Sequence, residues 1–273
     1  MLLRRALLLL AGAMLSLAPL APANAALICR VVADASSGSI LHQEGDCKTR
    51  VTPASTFKVA LAAMGFDAGV LTDARTPELP FKKGYADWGG APWQRANDPT
   101  SWMKHSVVWY SQHIARQLGA DKLTAYGRGF NYGNADFTGD RGKNNGLERS
   151  WISSSLKISP IEQIAFVRKL ITGQLPISRS AAEKTISIME SSSTPAGWSV
   201  TGKTGSAYPR NADGSFNRSR GWGWYVGWAR SGERTLVFAQ LAQDEKREKS
   251  SGGLRARENF LAEWDSLAQR LPR

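Results

Sequence analysis

The chain has 273 residues, 42% apolar and 21% charged, a balance that excludes a disordered or fibrous protein and allows a sizeable core without added staples. Lys and Arg outnumber Asp and Glu by 35 to 23, and the net charge of +12 raises nucleic acid or an anionic surface as a partner. Two Cys and three His, with no C-x-x-C or H-x-x-x-H, leave little for metal chemistry, so neither a metal nor a bound cofactor is expected.

Residues 1–25 carry the marks of a secretory signal: Arg4 and Arg5, an unbroken apolar stretch over 6–15, and the small residues Ala23-Asn24-Ala25 at a cleavage point. The apolar run is shorter than a bilayer requires, and Pro19 and Pro22 interrupt the residues beyond it, which favours a cleaved signal over a membrane anchor. Residues 26–273 would then be one mature domain, periplasmic, with no membrane association after cleavage.

Strands are expected over 27–33 and 39–43, joined by the turn Ala35-Ser36-Ser37-Gly38. Cys29 and Cys47 flank this hairpin near its open end, and in an oxidising compartment they are expected to pair; two buried thiols are the alternative. Thr52-Pro53-Ala54-Ser55 offers an N-cap and a first-turn proline. Because 59–64 are all apolar, the helix opened there should be buried on every side.

Residues 67–102, rich in Pro, Gly and Trp, read as connections and short turns. Helical patterns come next at 106–118, 122–129, 160–172 and 180–191, with Ile161, Ile164, Val167 and Ile171 marking one face of the third. Strands are expected at 198–205, 221–229 and 234–242, the last two joined across Ser231-Gly232. Trp222, Trp224, Val226 and Trp228 share one face of the middle strand. Gly221, Gly223 and Gly227 fall mainly on the other, leaving room for something to lie against it. A helix at 254–269 closes the chain. The order predicts an α/β (α+β) fold: a central antiparallel sheet built from about 26–50 and 193–273, flanked by helices, with an inserted helical lobe over about 51–192.

The sharpest chemical feature is Ser55-Thr56-Phe57-Lys58. Residues three apart share a helical face, so the Lys58 amine can approach the Ser55 hydroxyl at a helix N-terminus, which makes a serine nucleophilic without histidine. Lys58 immediately precedes the apolar run, where its pKa should fall. Three further strings lie downstream in order: Ser106-Val107-Val108, Tyr132-Gly133-Asn134 and Lys203-Thr204-Gly205. Each is common alone, but four in this order, separated by roughly 50, 25 and 70 residues, are specific.

With these motifs the chain resembles the serine β-lactamase and penicillin-binding protein superfamily, and within it the class D, oxacillinase-type β-lactamases. The likeness covers nearly all of 26–273 and extends to the run from Trp151 to Ser159, to Pro160-Ile161-Glu162-Gln163, and to Trp224-Tyr225-Val226-Gly227-Trp228. The S-D-N and E-x-x-L-N strings of class A are absent, and Tyr132-Gly133-Asn134 is the class D form of its position.

The resemblance implies hydrolysis of penicillin-type antibiotics, and so resistance, through an acyl-enzyme on Ser55. Lys58, N-carboxylated by carbon dioxide or bicarbonate, would be the general base for both acylation and deacylation. Trp151 would donate its indole N–H to the carbamate, the alternative being an ordinary core tryptophan. Ser106 and Lys203 would relay a proton to the lactam nitrogen, and the N–H groups of Ser55 and Ser206 would form the oxyanion hole. Thr204 and Gly205 would line the substrate strand, with Val108 and Ile152 as an apolar lid. Arg255 is expected to hold the substrate carboxylate, with Arg257 as its competitor. His105, beside Ser106, reads as surface packing, because adjacent helical residues point apart.

A β-lactam sensor that stays acylated and a peptidoglycan DD-peptidase are the rival functions. Nucleic acid ranks low as a partner because the basic residues are scattered, and no basic amphipathic helix marks a membrane surface. Either a monomer or a homodimer is compatible with the sequence.

Overall fold

The computed structural model describes residues 25–272, so the expected signal lies, except for Ala25, outside the described residues. Strands β1 (Ala26–Asp34) and β2 (Ile40–Gly45) form the N-terminal hairpin, and β3 (Ser191–Ser193), β4 (Ser199–Ala207), β5 (Trp222–Ser231) and β6 (Arg234–Gln243) come from the last third of the chain. They make one six-stranded sheet in the order β2-β1-β6-β5-β4-β3, antiparallel throughout, as the α/β expectation required. Cys29 and Cys47 form a disulfide across the open end of the hairpin, where Cys29 pairs with Gly45 in register.

Alternation along the strands gives the sheet two apolar faces. Trp224, Val226 and Trp228 of β5, with Val237, Ala239 and Leu241 of β6, face the larger core shared with the helical segment. Tyr225, Leu236 and Phe238 face the other way and pack on Phe260 and Trp264 of the last helix, α7 (Gly252–Arg270). Of the glycines on β5, Gly223 makes room for the start of that helix, since a Cβ there would lie 2.2 Å from the Gly252 carbonyl oxygen, whereas Gly227 makes room for β4, where a Cβ would lie 2.0 Å from the Thr201 carbonyl oxygen.

Between the two halves of the sheet the chain forms α1 (Phe57–Asp67), α2 (Pro99–His105), α3 (Val108–Gly129), α4 (Gly146–Arg149), α5 (Pro160–Ile171) and α6 (Arg179–Ser187). In α1 every residue from Phe57 to Phe66 is buried, as its unbroken apolar run demands. Its opening differs from expectation. A 3-10 turn, Ala54–Thr56, leads into it with no side-chain cap, and the Thr52 hydroxyl reaches across the fold to the Trp151 carbonyl, 2.8 Å away.

Other differences have equally local causes. Helix α2 lies within the stretch read as connections; it is too short to show a period, but Asp98 and Ser101 form a capping box around Pro99. The helices expected at 106–118 and 122–129 are one element, α3, kinked where Gly119 takes φ 77°. Helix α6 stops at Ser187, and the serines of β3 instead pair with β4, Ser191 opposite Thr201. Polar serines carry no strand signal of their own; the neighbouring edge supplies it. Among the described residues no helix is long and apolar enough to cross a membrane.

Candidate active site

The site lies where the turn before α1, the α2–α3 junction and strand β4 meet. Ser55 sits in the 3-10 turn and Lys58 one turn further on, with Nζ 3.2 Å from Ser55 Oγ. Lys58 is 0% exposed. Burial, reinforced by the charge of Lys203, holds its pKa well below that of an ordinary lysine, which favours the neutral amine beside the serine hydroxyl. The turn is tight: Ala54 takes φ 51°, a region that residues other than glycine seldom occupy.

Ser106 does not head a helix, as the sequence suggested. It caps the C-terminus of α2 with φ 59°, and Val107, in extended conformation, is then the N-cap of α3. This left-handed corner turns its hydroxyl toward β4, where Lys203 Nζ donates to Ser106 Oγ at 2.9 Å. Lys203 is itself buried, and desolvation, partly offset by Glu190 and assisted by Arg257, brings its pKa down to about 8. At neutral pH it is therefore largely a cation.

On β4 the period of two directs Lys203 and Gly205 to one side of the sheet. Gly205 has to be glycine, because a Cβ there would stand 2.9 Å from the Pro53 carbonyl oxygen and 3.1 Å from the Thr56 amide. Ser206 is anchored through its side chain, which accepts from the Gly253 amide at 2.8 Å and bonds the Ser251 hydroxyl at 2.7 Å. The start of α7 thereby fixes the end of the substrate strand.

These groups surround a cavity of about 430 Å³, lined by Ser55, Ser106, Val108, Trp151, Ile152, Lys203, Thr204, Gly205 and Ser206 among others. Every site residue named from the sequence is thus at the cavity or, for Lys58, hydrogen-bonded beneath it, with one exception. Arg255 turns away: its guanidinium pairs with the Asp244 carboxylate and bonds Ser250, at its carbonyl and, at 3.0 Å, its hydroxyl. Helical phase explains this placement: Gly253 packs on Gly205, and the residues three and four further along, Ala256 and Arg257, lie on the same side of α7. Arg257 donates to Ser192 Oγ at 2.6 Å and lines a small adjoining cavity with Lys203, Thr204 and Glu190.

The Tyr132-Gly133-Asn134 string is placed one layer back. Tyr132 is buried with its ring 5.6 Å from that of Phe57, and Asn134 donates to the Ser155 carbonyl and accepts from the Lys157 amide, bracing the segment that carries Trp151 and Ile152. Trp151 is 1% exposed, its ring 5.4 Å from Phe57.

Sequence reasoning missed part of the wall. Trp88, Trp93, Lys104, His105, Ser251 and Leu254 also line the cavity. Trp93 donates its indole N–H to the His105 carbonyl at 2.8 Å, tying the loop before α2 to the end of α2. Burial and the nearby Arg95 and Lys104 lower the His105 pKa, so the ring is neutral at physiological pH. The only available signal was the density of tryptophan in 67–102, which has no helical or strand period. Among the described residues no group of three or more His, Cys, Asp or Glu is placed to hold a metal ion.

A Ser–Lys pair joined to a second Ser–Lys pair around one cavity at the sheet edge has the makings of a serine acyltransferase site, with a nucleophile beside an amine of depressed pKa. Residues 28–263 match the penicillin binding protein transpeptidase domain family, to which the chain belongs. β-Lactamase OXA-9 of Klebsiella pneumoniae is 41% identical over 88% of this chain and 87% of its own length, and β-lactamase OXA-1 of Escherichia coli is 36% identical over 88% and 84%. The crystal structure of OXA-427 class D β-lactamase, 41% identical, matches 89% of this chain and 99% of that one with a TM-score of 0.82. Within its superfamily the chain is a class D serine β-lactamase.

Proposed function

We propose that the protein hydrolyses the β-lactam ring of penicillin-type antibiotics through an ester on Ser55, with Lys58 carboxylated on Nζ as the general base. The observation that carries this is the fully buried Lys58 amine, depressed in pKa and 3.2 Å from Ser55 Oγ. Only a neutral amine attacks carbon dioxide, and desolvation supplies one. The carbamate so formed provides an anionic base in a cavity whose lining holds lysines, hydroxyls, a histidine and apolar side chains but no carboxylate.

In this scheme carboxylated Lys58 takes the Ser55 proton as Oγ attacks the lactam carbonyl carbon. The amides of Ser55 and Ser206 stabilise the oxyanion. Ser106, held by the Lys203 ammonium, passes a proton to the lactam nitrogen as the C–N bond breaks. Water, deprotonated by the same Lys58 group, then attacks the ester, releasing the product acid and restoring the Ser55 hydroxyl. Trp151 covers this base, and Val108 and Ile152 regulate water entry. The substrate carboxylate is held by Lys203, Thr204 and Arg257, since Arg255 is committed to Asp244.

The test is turnover of a chromogenic cephalosporin by the mature protein, with and without added bicarbonate. Hydrolysis that rises with bicarbonate is expected. A stable Ser55 adduct without turnover, seen by intact mass, would establish a sensor instead. Lys58→Ala is expected to acylate slowly and to retain the adduct, lowering kcat by about 100-fold or more; normal deacylation in that variant would remove Lys58 from the role of base.

A further inference from the structure

We propose that Thr52 is a positioning residue: its hydroxyl clamps the Ser55 turn to the Trp151–Ser153 turn and so sets the rate at which the acyl-enzyme is hydrolysed. This rests on the proposed function of the site but concerns a residue outside the cavity wall. Thr52 is 3% exposed, and its hydroxyl is fully used. It donates to the Trp151 carbonyl at 2.8 Å and accepts from the Ser153 amide at 3.1 Å, groups about 100 positions away in the chain. One side chain thereby spans both ends of a turn, Trp151 to Ser153, of which Trp151 and Ile152 line the cavity with Ser55.

Both segments need such a tie. Ala54, two residues after Thr52, takes φ 51°, and Ser153 takes φ 53°. Left-handed conformations at residues with side chains persist only where surrounding contacts over-determine them. The rest of the junction is anchored without the hydroxyl. Val51 and Ile158 exchange backbone hydrogen bonds of 3.1 and 2.9 Å, and the Trp224 indole donates to the Thr52 carbonyl at 2.9 Å. Removing the hydroxyl therefore leaves the segments paired and the core filled, while the Trp151–Ser153 turn loses its link to the nucleophile.

Thr52→Val keeps the shape and removes both hydrogen bonds; Thr52→Ser keeps them. With penicillin, the Ser55 adduct is followed by intact mass after quenching, and rates are normalised to the fraction of enzyme that acylates. The expected result is an adduct lifetime about tenfold longer in Thr52→Val, with kcat and KM falling together and with Thr52→Ser near wild type. A role confined to stability would lower Tm and the active fraction but leave the normalised lifetime unchanged, and that outcome overturns the proposal. So does a Thr52→Ser lifetime as long as that of Thr52→Val. The bicarbonate response of the wild type, measured alongside, separately decides whether Lys58 carboxylation holds, because the adduct lifetime compares variants whatever the base.

Discussion

Two buried lysines belong to the site, and their surroundings depress their pKa values for different reasons. Burial and the neighbouring cation Lys203 push Lys58 well below an ordinary lysine; Lys203 is also buried but has Glu190 to compensate and keeps a proton up to about pH 8. The same logic separates two arginines only two positions apart. Arg255 is neutralised by Asp244 and braces the chain before α7, whereas Arg257 bonds the Ser192 hydroxyl, lies beside the Tyr225 side chain and shares its cavity with Lys203. Arg257→Ala is accordingly expected to raise the penicillin KM by roughly tenfold to 100-fold, the loss of a charge-assisted hydrogen bond. Arg255→Ala should leave KM within about threefold and lower Tm, by breaking a buried pair and freeing Asp244. Steady-state kinetics of the two variants side by side check this; a KM effect confined to Arg255→Ala would restore that residue to the substrate.

At the level of elements, the hairpin and its disulfide form a part of the molecule whose contribution is stability. Cys29 and Cys47 are both buried, close the open end of β1 and β2, and line none of the active cavity. Their bond closes a loop with a separation of 18 residues, worth on the order of 3 kcal/mol in the chain-entropy view. Replacing both with alanine should lower Tm by roughly 6–12 °C, the scale for a domain of this size, with kcat/KM unchanged within about twofold. Calorimetry and a cephalosporin assay on one preparation measure both; a large kinetic effect would place the hairpin in the working part of the enzyme. Legibility in the sequence followed the same division. The hairpin, α1, α5 and strands β4 to β6 could be read because each carries its own period, cap or turn. Ser55 and Lys58 could be read because their spacing is local to one helical turn. Helix α2, strand β3 and the aromatic wall at Trp88 and Trp93 could not, because a two-turn helix is too short for a period, three serines pair only by virtue of β4, and a tryptophan lines a cavity only when distant segments bring it there. The choice between Arg255 and Arg257 stayed open in the sequence for a related reason: the phase of one turn of helix separates their surroundings, and Gly253 seating on Gly205 fixes that phase only in the folded chain.

For the molecule as a whole, the excess of positive charge has one placement with a clear consequence: the buried Lys203 ammonium, which donates to Ser106 and, under the proposed function, holds an anionic substrate. As pH rises through about 8 this charge is lost, so kcat/KM for penicillins should fall on the alkaline side with a midpoint near 8, chiefly through KM. Stability should move in the opposite direction. The unfolded chain binds a proton at this lysine up to its ordinary pKa of 10.5, whereas the folded chain releases it near 8. Between those values the unfolded state holds more protons, so raising the pH relieves a cost that is fully present below about 8. Over pH 8–10 the wild type should therefore gain Tm relative to Lys203→Ala while it loses activity. Surface charges are screened by salt and a buried one is screened much less, so the alkaline limb should persist when ionic strength is raised from about 0.05 to about 0.5 M with a non-halide salt. A limb that disappears with salt, or a Tm difference that narrows as pH rises, would mean that exposed charges rather than Lys203 control substrate capture.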